Sequence, residues 1–174
     1  MIRFIIPLIA VLLFFLEPVF SLFSPIDIEG SSYTLVPRFV IVYLIFIAVY
    51  YSRQRAIIYG IGLGLLYDMF HIDIIGLYAF LYPLICFIAT LIIRQVHRHI
   101  VTVMFLALIL ISVLEVLSYF FASLVSLTSI GLDEFITGRL IPTIIANSIF
   151  VGMFGWFFKT LIYKRVVERQ SETL

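Results

Sequence analysis

The sequence predicts an all-α membrane protein, a single bundle of six transmembrane helices without a separate soluble domain. Apolar residues form 64% of the 174-residue chain and charged residues 12%, whereas soluble domains carry about 45–50% and about 25%. The mean hydropathy is +1.23. The apolar residues are also gathered into six runs with short polar segments between them. These properties exclude a soluble enzyme, a nucleic-acid-binding domain and a disordered tail.

The six apolar runs are interpreted as spans because a membrane-crossing helix needs about 20 predominantly apolar residues. The first run begins like a signal peptide, but no small-residue cleavage motif follows it, and Pro25 stands where a mature chain would begin. We therefore interpret it as an uncleaved anchor. Residues 1–174 then form one integral membrane domain. The predicted spans are residues 3–23, 36–51, 56–70, 74–93, 100–127 and 140–163.

The distribution of Lys and Arg predicts the orientation of these spans. With both termini in the cytoplasm, nine of the eleven cations lie on the cytoplasmic side. These nine are Arg3, Arg53, Arg55, Arg94, Arg98, Lys159, Lys164, Arg165 and Arg169. The outer loops hold acids instead, namely Asp27, Glu29, Asp73, Asp133 and Glu134. Since cytoplasmic loops are enriched in Lys and Arg, we expect a multi-pass protein of the bacterial cytoplasmic membrane with both termini inside. Only Arg38 and Arg139 lie at outer ends of spans.

The third run, residues 56–70, is short for a spanning helix. It must cross nevertheless, because Arg55 and Arg94 both belong on the cytoplasmic side and the fourth run is long enough to cross. Fifteen residues at about 1.5 Å each reach only about 22 Å. We expect either local thinning of the bilayer or a helix that begins before Ser52.

Three carboxylates, Glu17, Asp68 and Glu115, fall within the predicted spans. Such residues cost about 2.5–3.5 kcal/mol each on insertion scales, and they suggest function by default. Glu17 precedes Pro18 near the outer end of its span, so we expect a structural residue that reaches the membrane interface.

Asp68 ends a stripe of small residues along the third span. Ala56, Gly60, Gly64 and Asp68 recur every four residues and therefore share one helix face. Gly60 and Gly64 form a GxxxG element, which allows close approach of another backbone. The stripe predicts a helix-packing or partner-binding face. Asp68 is either a polar clamp near the outer surface or a ligand or proton site.

A polar seam follows the fifth span. Its residues are Ser112, Glu115, Tyr119, Ala122 and Ser126, at alternating spacings of three and four. One interpretation is a substrate or proton path, or a pocket. The other is a helix–helix seam in which desolvation keeps Glu115 neutral and a polar side chain bonds to it. Asn147 in the sixth span is the expected partner.

Motifs for catalysis, metals and cofactors are missing from the sequence. His97 and His99 are two residues apart and so point to different helix faces. There is no phosphate-binding glycine loop and no nucleophile–base set. We therefore expect no enzyme activity, no metal and no cofactor.

The segment Gly60-Ile61-Gly62-Leu63-Gly64-Leu65-Leu66-Tyr67-Asp68, followed by Gly76-Leu77-Tyr78-Ala79 and Tyr82-Pro83-Leu84, resembles the bacterial rod shape-determining MreD family. Chain length, six spans and the late span with Pro142 and Asn147 also resemble that family. Gly76 belongs to the matching motif, so the helix-packing or partner-binding interpretation extends to it. The resemblance implies a fold like the substrate-binding subunits of energy-coupling-factor transporters.

The resemblance implies a non-enzymatic scaffold of the cell-wall elongation complex, which supports rod shape and lateral peptidoglycan synthesis. Its implied partners are MreC, and further the actin-like MreB, a wall polymerase and a penicillin-binding transpeptidase, together with the lipid bilayer but no nucleic acid. The alternative is a substrate-binding membrane subunit of a vitamin-type transporter, with Glu115 and Asn147 in a pocket open to the outside.

Overall fold

A computed structural model describes residues 4–28, 31–72, 74–96 and 98–171. The chain forms seven α-helices in these ranges: α1 (Ile5–Ser21), α2 (Phe39–Tyr50), α3 (Arg53–Tyr67), α4 (Leu77–Ile93), α5 (Ile100–Leu124), α6 (Leu132–Phe135) and α7 (Ile141–Ser171). A two-stranded antiparallel hairpin, β1 (Ile26–Ile28) and β2 (Ser31–Tyr33), follows α1. Single π-helical turns extend α3 over Asp68–Ile72 and join α6 to α7 over Ile136–Leu140. Three residues used to predict topology, Arg3, Glu29 and Asp73, lie outside the described ranges, as does His97.

Helix α2 is the centre of the bundle. Its sequence, FVIVYLIFIAVY, is apolar on every face, which is the pattern of a helix surrounded by protein. The side chains from Val40 to Ile47 have no exposed surface at all. Helices α1, α3, α4, α5 and α7 all pack against α2. Polar groups that reach the start of α2 are therefore buried deep inside the molecule.

The helices agree with the predicted helical class, and each predicted span overlaps one helix. Two helical segments in the described ranges, Ile100–Leu124 and Leu132–Val167, are long and apolar enough to cross a membrane by length and composition. Helices α1, α2 and α4 are shorter apolar helices of 12–17 residues. The count of six membrane crossings stays a prediction.

The structure departs from the predicted boundaries at several places. The third helix begins at Arg53, just after Ser52 and not before it. It gains length at its other end, where the π-helical turn brings the total to 20 residues. The second run is helical only from Phe39, and the residues before it form an irregular segment. The hairpin and α6 were not predicted, because three or four residues carry no periodic pattern.

The small-residue stripe of α3 packs inside the bundle against α4. A Cβ atom at Gly60 would lie 3.1 Å from the backbone nitrogen of Pro83. A Cβ atom at Gly64 would overlap the carbonyl oxygen of Tyr78 and lie 2.8 Å from the Cα atom of Ala79. Ala56 is completely buried. The stripe therefore brings the α3 and α4 backbones together and is not an outer surface of the chain.

Candidate functional site

Glu17 of α1 bonds to the first turn of α2. Its Oε1 atom accepts the backbone N–H of Val40 at 2.8 Å, and the side chain is only 1% exposed. The first N–H groups of a helix have no intrahelical partner, and a carboxylate near them is also favoured by the helix dipole. Glu17 thus has a structural role, as expected, because it caps the central helix from inside the bundle; its position relative to the membrane interface stays a prediction.

The irregular segment before α2 is held by two side chains of α7. The hydroxyl oxygen of Thr143 accepts the N–H of Val36 at 3.1 Å. Asn147 accepts the N–H of Arg38 at 2.9 Å and donates to the carbonyl oxygen of Val36, also at 2.9 Å. Irregular backbone that is buried needs such partners because an unpaired N–H or C=O group away from water is costly. Asn147 thus uses both ends of its amide on backbone groups.

Arg38, at the start of α2, forms a buried ion pair with Glu115 of α5. The Nε atom of Arg38 lies 2.5 Å from Oε1 of Glu115, and the two side chains are 1% and 0% exposed. Arg139, which is 40% exposed, approaches the other carboxylate oxygen, Oε2, at 3.2 Å. One carboxylate therefore faces two guanidinium groups. The prediction that Asn147 bonds to Glu115 is wrong.

Aromatic side chains of α3 and α4 surround the guanidinium group of Arg38. Its Nη2 atom donates to the Tyr78 hydroxyl at 2.7 Å. The guanidinium carbon lies 4.9 Å from the centre of the Tyr78 ring and 5.4 Å from that of Tyr67, within the range of cation–π attraction. The third nitrogen, Nη1, is buried and has no hydrogen-bond partner among the described residues. Arg38 thus connects α2, α4 and α5, and its Nη1 atom is a hydrogen-bond donor that none of these contacts uses.

Asp68 ends α3 and caps the start of α4. Its two carboxylate oxygens accept the N–H groups of Gly76, Tyr78 and Ala79 at 2.8–3.0 Å. Gly76 has a φ of +115°, a backbone conformation that residues with a side chain rarely adopt. The turn between α3 and α4 thus depends on a carboxylate at one end and a glycine at the other. Of the two interpretations of Asp68, this arrangement corresponds to the polar clamp and not to the ligand or proton site.

We expect Asp68→Asn to loosen this turn. The amide keeps the shape of the carboxylate but offers one acceptor oxygen in place of two, so one or two N–H groups lose their partner. The loss costs about 1–2 kcal/mol. Hydrogen–deuterium exchange of a peptide covering residues 75–80 should become faster. Asp133→Asn, an exposed aspartate in α6, is the control, and equal exchange in the two variants would contradict the capping role.

The structure separates the residues of the predicted polar seam. Ser112 bonds to the carbonyl oxygen of Leu108 in its own helix, and Ser126 lies beyond the end of α5 with a φ of 57°. Only Glu115 takes part in interhelical ion pairs. Tyr119 donates its hydroxyl to the carbonyl oxygen of Ile130 and stacks on Phe135. Ser112, Glu115 and Tyr119 lie on one face of α5, but each contacts a different partner.

Sequence reasoning missed Arg38 and Arg139 as site residues. Both were assigned only to outer ends of spans, although they are the two cations that depart from the positive-inside distribution. That departure was a usable signal. A cation on the unfavoured side, in a chain with a buried glutamate, calls for an anionic partner.

A cavity of about 620 Å³ lies beside the ion pairs, between the ends of α3 and α5, the hairpin and α6. Its lining includes Arg38, Tyr67, Tyr78, Ser118, Tyr119 and Arg139. It is the size of a small-molecule site. Of the residues predicted for a possible pocket, Tyr119 lines this cavity, while Glu115 lies behind the two arginines that do. Within the described ranges, no three His, Cys, Asp or Glu side chains are grouped so that they could hold a metal ion.

Comparisons with known proteins agree on one family. The family model for rod shape-determining protein MreD matches residues 2–165. The rod shape-determining protein MreD of Bacillus subtilis (strain 168) is 30% identical over 163 residues, covering 91% of this chain and 95% of the relative. The cell shape-determining protein MreD of Streptococcus pneumoniae (strain ATCC BAA-255 / R6) is 26% identical over 125 residues, or 72% and 76% of the two chains. No solved structure matches the chain.

Proposed function

Because the chain belongs to the MreD family of rod shape-determining proteins, we propose that it acts as a non-enzymatic membrane scaffold of the cell-wall elongation complex. The family match over residues 2–165 carries this proposal. The proposed direct partner is MreC, with MreB, a wall polymerase and a penicillin-binding transpeptidase as further members of the complex. Members of the family are membrane proteins of the cell-shape machinery, and the family is not known for enzymes.

The internal bonding supports a scaffold role. Glu17 and Asp68 each bond to backbone N–H groups of the next helix, and Glu115 pairs with two arginines. The intramembrane carboxylates thus connect α1 to α2, α3 to α4, and α5 both to the start of α2 and to the π-helical turn before α7. Such bonds set the relative positions of the helices, and fixed positions are what a partner-binding surface requires.

A face of α7 offers the best contact for a single-span partner. Ser148 and Gly152, four residues apart, form a small-residue pair, and Gly152 is exposed. A Cβ atom at Gly152 would meet nothing within 4 Å. Transmembrane helices associate through such small residues, which allow close backbone approach. Since the stripe on α3 is used inside the chain, we propose that the membrane span of MreC packs at Ser148 and Gly152.

Gly152→Leu should weaken co-purification with MreC by about tenfold or more, because the leucine separates the two backbones. Gly62→Leu is the matched control, since Gly62 is also an exposed helical glycine with open space around it. Both proteins should be present at wild-type levels. Equal recovery of MreC with the two variants would remove this face from the proposal, and no recovery of MreC with the wild-type chain would overturn the scaffold role itself.

The membrane topology forms part of the same proposal. We place six helices across the cytoplasmic membrane with both termini inside, on the basis of the cation distribution. A fold like the substrate-binding subunits of energy-coupling-factor transporters stays a prediction. The family match does not favour the transporter alternative.

A further inference from the structure

The cavity beside Arg38 and Arg139 carries a function that helix packing does not explain. Two guanidinium groups, those of Arg38 and Arg139, line it and share one carboxylate, Glu115, so this cluster has one positive charge in excess. Glu134 also lines the cavity, but its side chain is exposed to solvent, where its charge is screened. Arg38 and Glu115 are buried and neutralise each other, so the excess charge is that of Arg139, which is 40% exposed and lines the cavity. The charge balance therefore indicates an anionic ligand.

The unused N–H donors of the two arginines also indicate an anionic ligand. Nη1 of Arg38 is a buried donor without a partner among the described residues, on a side chain that is 1% exposed and lines the cavity. Arg139 lines the cavity too, and only its Nε atom is used for Glu115. Guanidinium groups with spare N–H donors match the oxygens of a phosphate. Two such groups at one cavity form a site for a phosphate oxyanion.

The walls of the cavity suit the organic part of such a ligand. Tyr67, Tyr78 and Tyr119 supply rings, and Ser118 and Thr128 supply hydroxyl groups. The volume of about 620 Å³ is enough for a headgroup-sized molecule and too small for two acyl chains besides. We propose that this cavity binds a phosphodiester that carries one negative charge. The ligand is either the headgroup of a membrane phospholipid or a soluble phosphodiester of the same chemistry.

Chemical protection of Arg139 in the wild-type protein tests this site directly. Phenylglyoxal reacts with exposed guanidinium groups, and its reaction with individual arginines can be followed by mass spectrometry. The probes are phosphatidylglycerol, soluble glycerophosphoglycerol, and diacylglycerol as a lipid without phosphate. At a concentration ten times the dissociation constant, reaction at Arg139 should slow by about tenfold. Reaction at Arg94, an exposed arginine at the end of α4 away from the cavity, should not change.

A cavity-filling variant shows where the protection arises. Ala122 of α5 lines the cavity without joining the ion pairs, so Ala122→Phe should abolish protection while leaving the melting temperature near that of the wild type. Protection by both phosphate probes supports the site with either source. Protection by one probe alone identifies the source as lipid or soluble. Protection by neither, protection by diacylglycerol as well, or protection that persists in a folded Ala122→Phe protein would overturn the proposal. The result does not depend on MreC, so it can fail while the scaffold role stands.

Discussion

Glu115→Gln is expected to lower the free energy of unfolding by about 3–5 kcal/mol. The substitution keeps the volume of the side chain but leaves Arg38 as a buried cation without its counter-charge. Removing one partner of a buried ion pair destabilises a protein more than replacing both partners with apolar side chains. For a chain of this size, that loss corresponds to a fall in melting temperature of roughly 6–20 °C. Thermal unfolding of the detergent-solubilised protein measures it.

The control for this prediction is Glu134→Gln. Glu134 has the same side chain but is exposed in α6, so its neutralisation should change stability by about 0.5 kcal/mol or less. A double variant, Arg38→Met with Glu115→Leu, should recover much of the loss, since an apolar pair can replace a buried ion pair at little cost. If Glu115→Gln and Glu134→Gln melt alike, the ion pair does not stabilise the bundle.

Sequence periodicity predicted the helical framework because lipid forces the backbone into long apolar helices. Each of the six apolar runs overlaps a helix. The ends were harder to predict, since they depend on which side chain reaches a terminal N–H group. The segment before α2 looked helical by composition, yet it is irregular, and Thr143 and Asn147 of α7 bond to its backbone. That interaction joins residues more than 100 positions apart, and no local pattern reveals it.

The candidate site was predicted only in part for the same reason. Glu115 could be singled out because a carboxylate in the middle of an apolar run is conspicuous. Its partner Arg38 lies 77 positions away in the chain, at the end of another apolar run. Asn147 was the expected partner because amide side chains are scarce in the spans, whereas charge complementarity favours Arg38. The search for partners of buried charges should therefore begin with the cations that break the positive-inside rule.

Gly64→Ala should destabilise the protein, while Gly62→Ala, two residues away, should not. At Gly64 the added methyl group overlaps the backbone carbonyl of Tyr78, and a backbone cannot rotate away as a side chain can. Helices α3 and α4 must then move apart, which weakens the three hydrogen bonds from backbone N–H groups to the Asp68 carboxylate. We expect a loss of about 3 kcal/mol. At Gly62 the methyl group meets nothing within 4 Å, and alanine is favoured over glycine in a helix by about 1 kcal/mol.

The glycines of α3 thus form a graded series that distinguishes packing from helix propensity. Gly60 should lie between the other two, since its added Cβ atom would stand 3.1 Å from the Pro83 nitrogen and a small shift could relieve it. Melting temperatures of the three alanine variants should therefore fall in the order Gly62, Gly60, Gly64. Helix propensity alone would stabilise all three equally. A Gly64→Ala protein as stable as Gly62→Ala would mean that α3 and α4 are not in close contact, and the internal role of the stripe would fail with it.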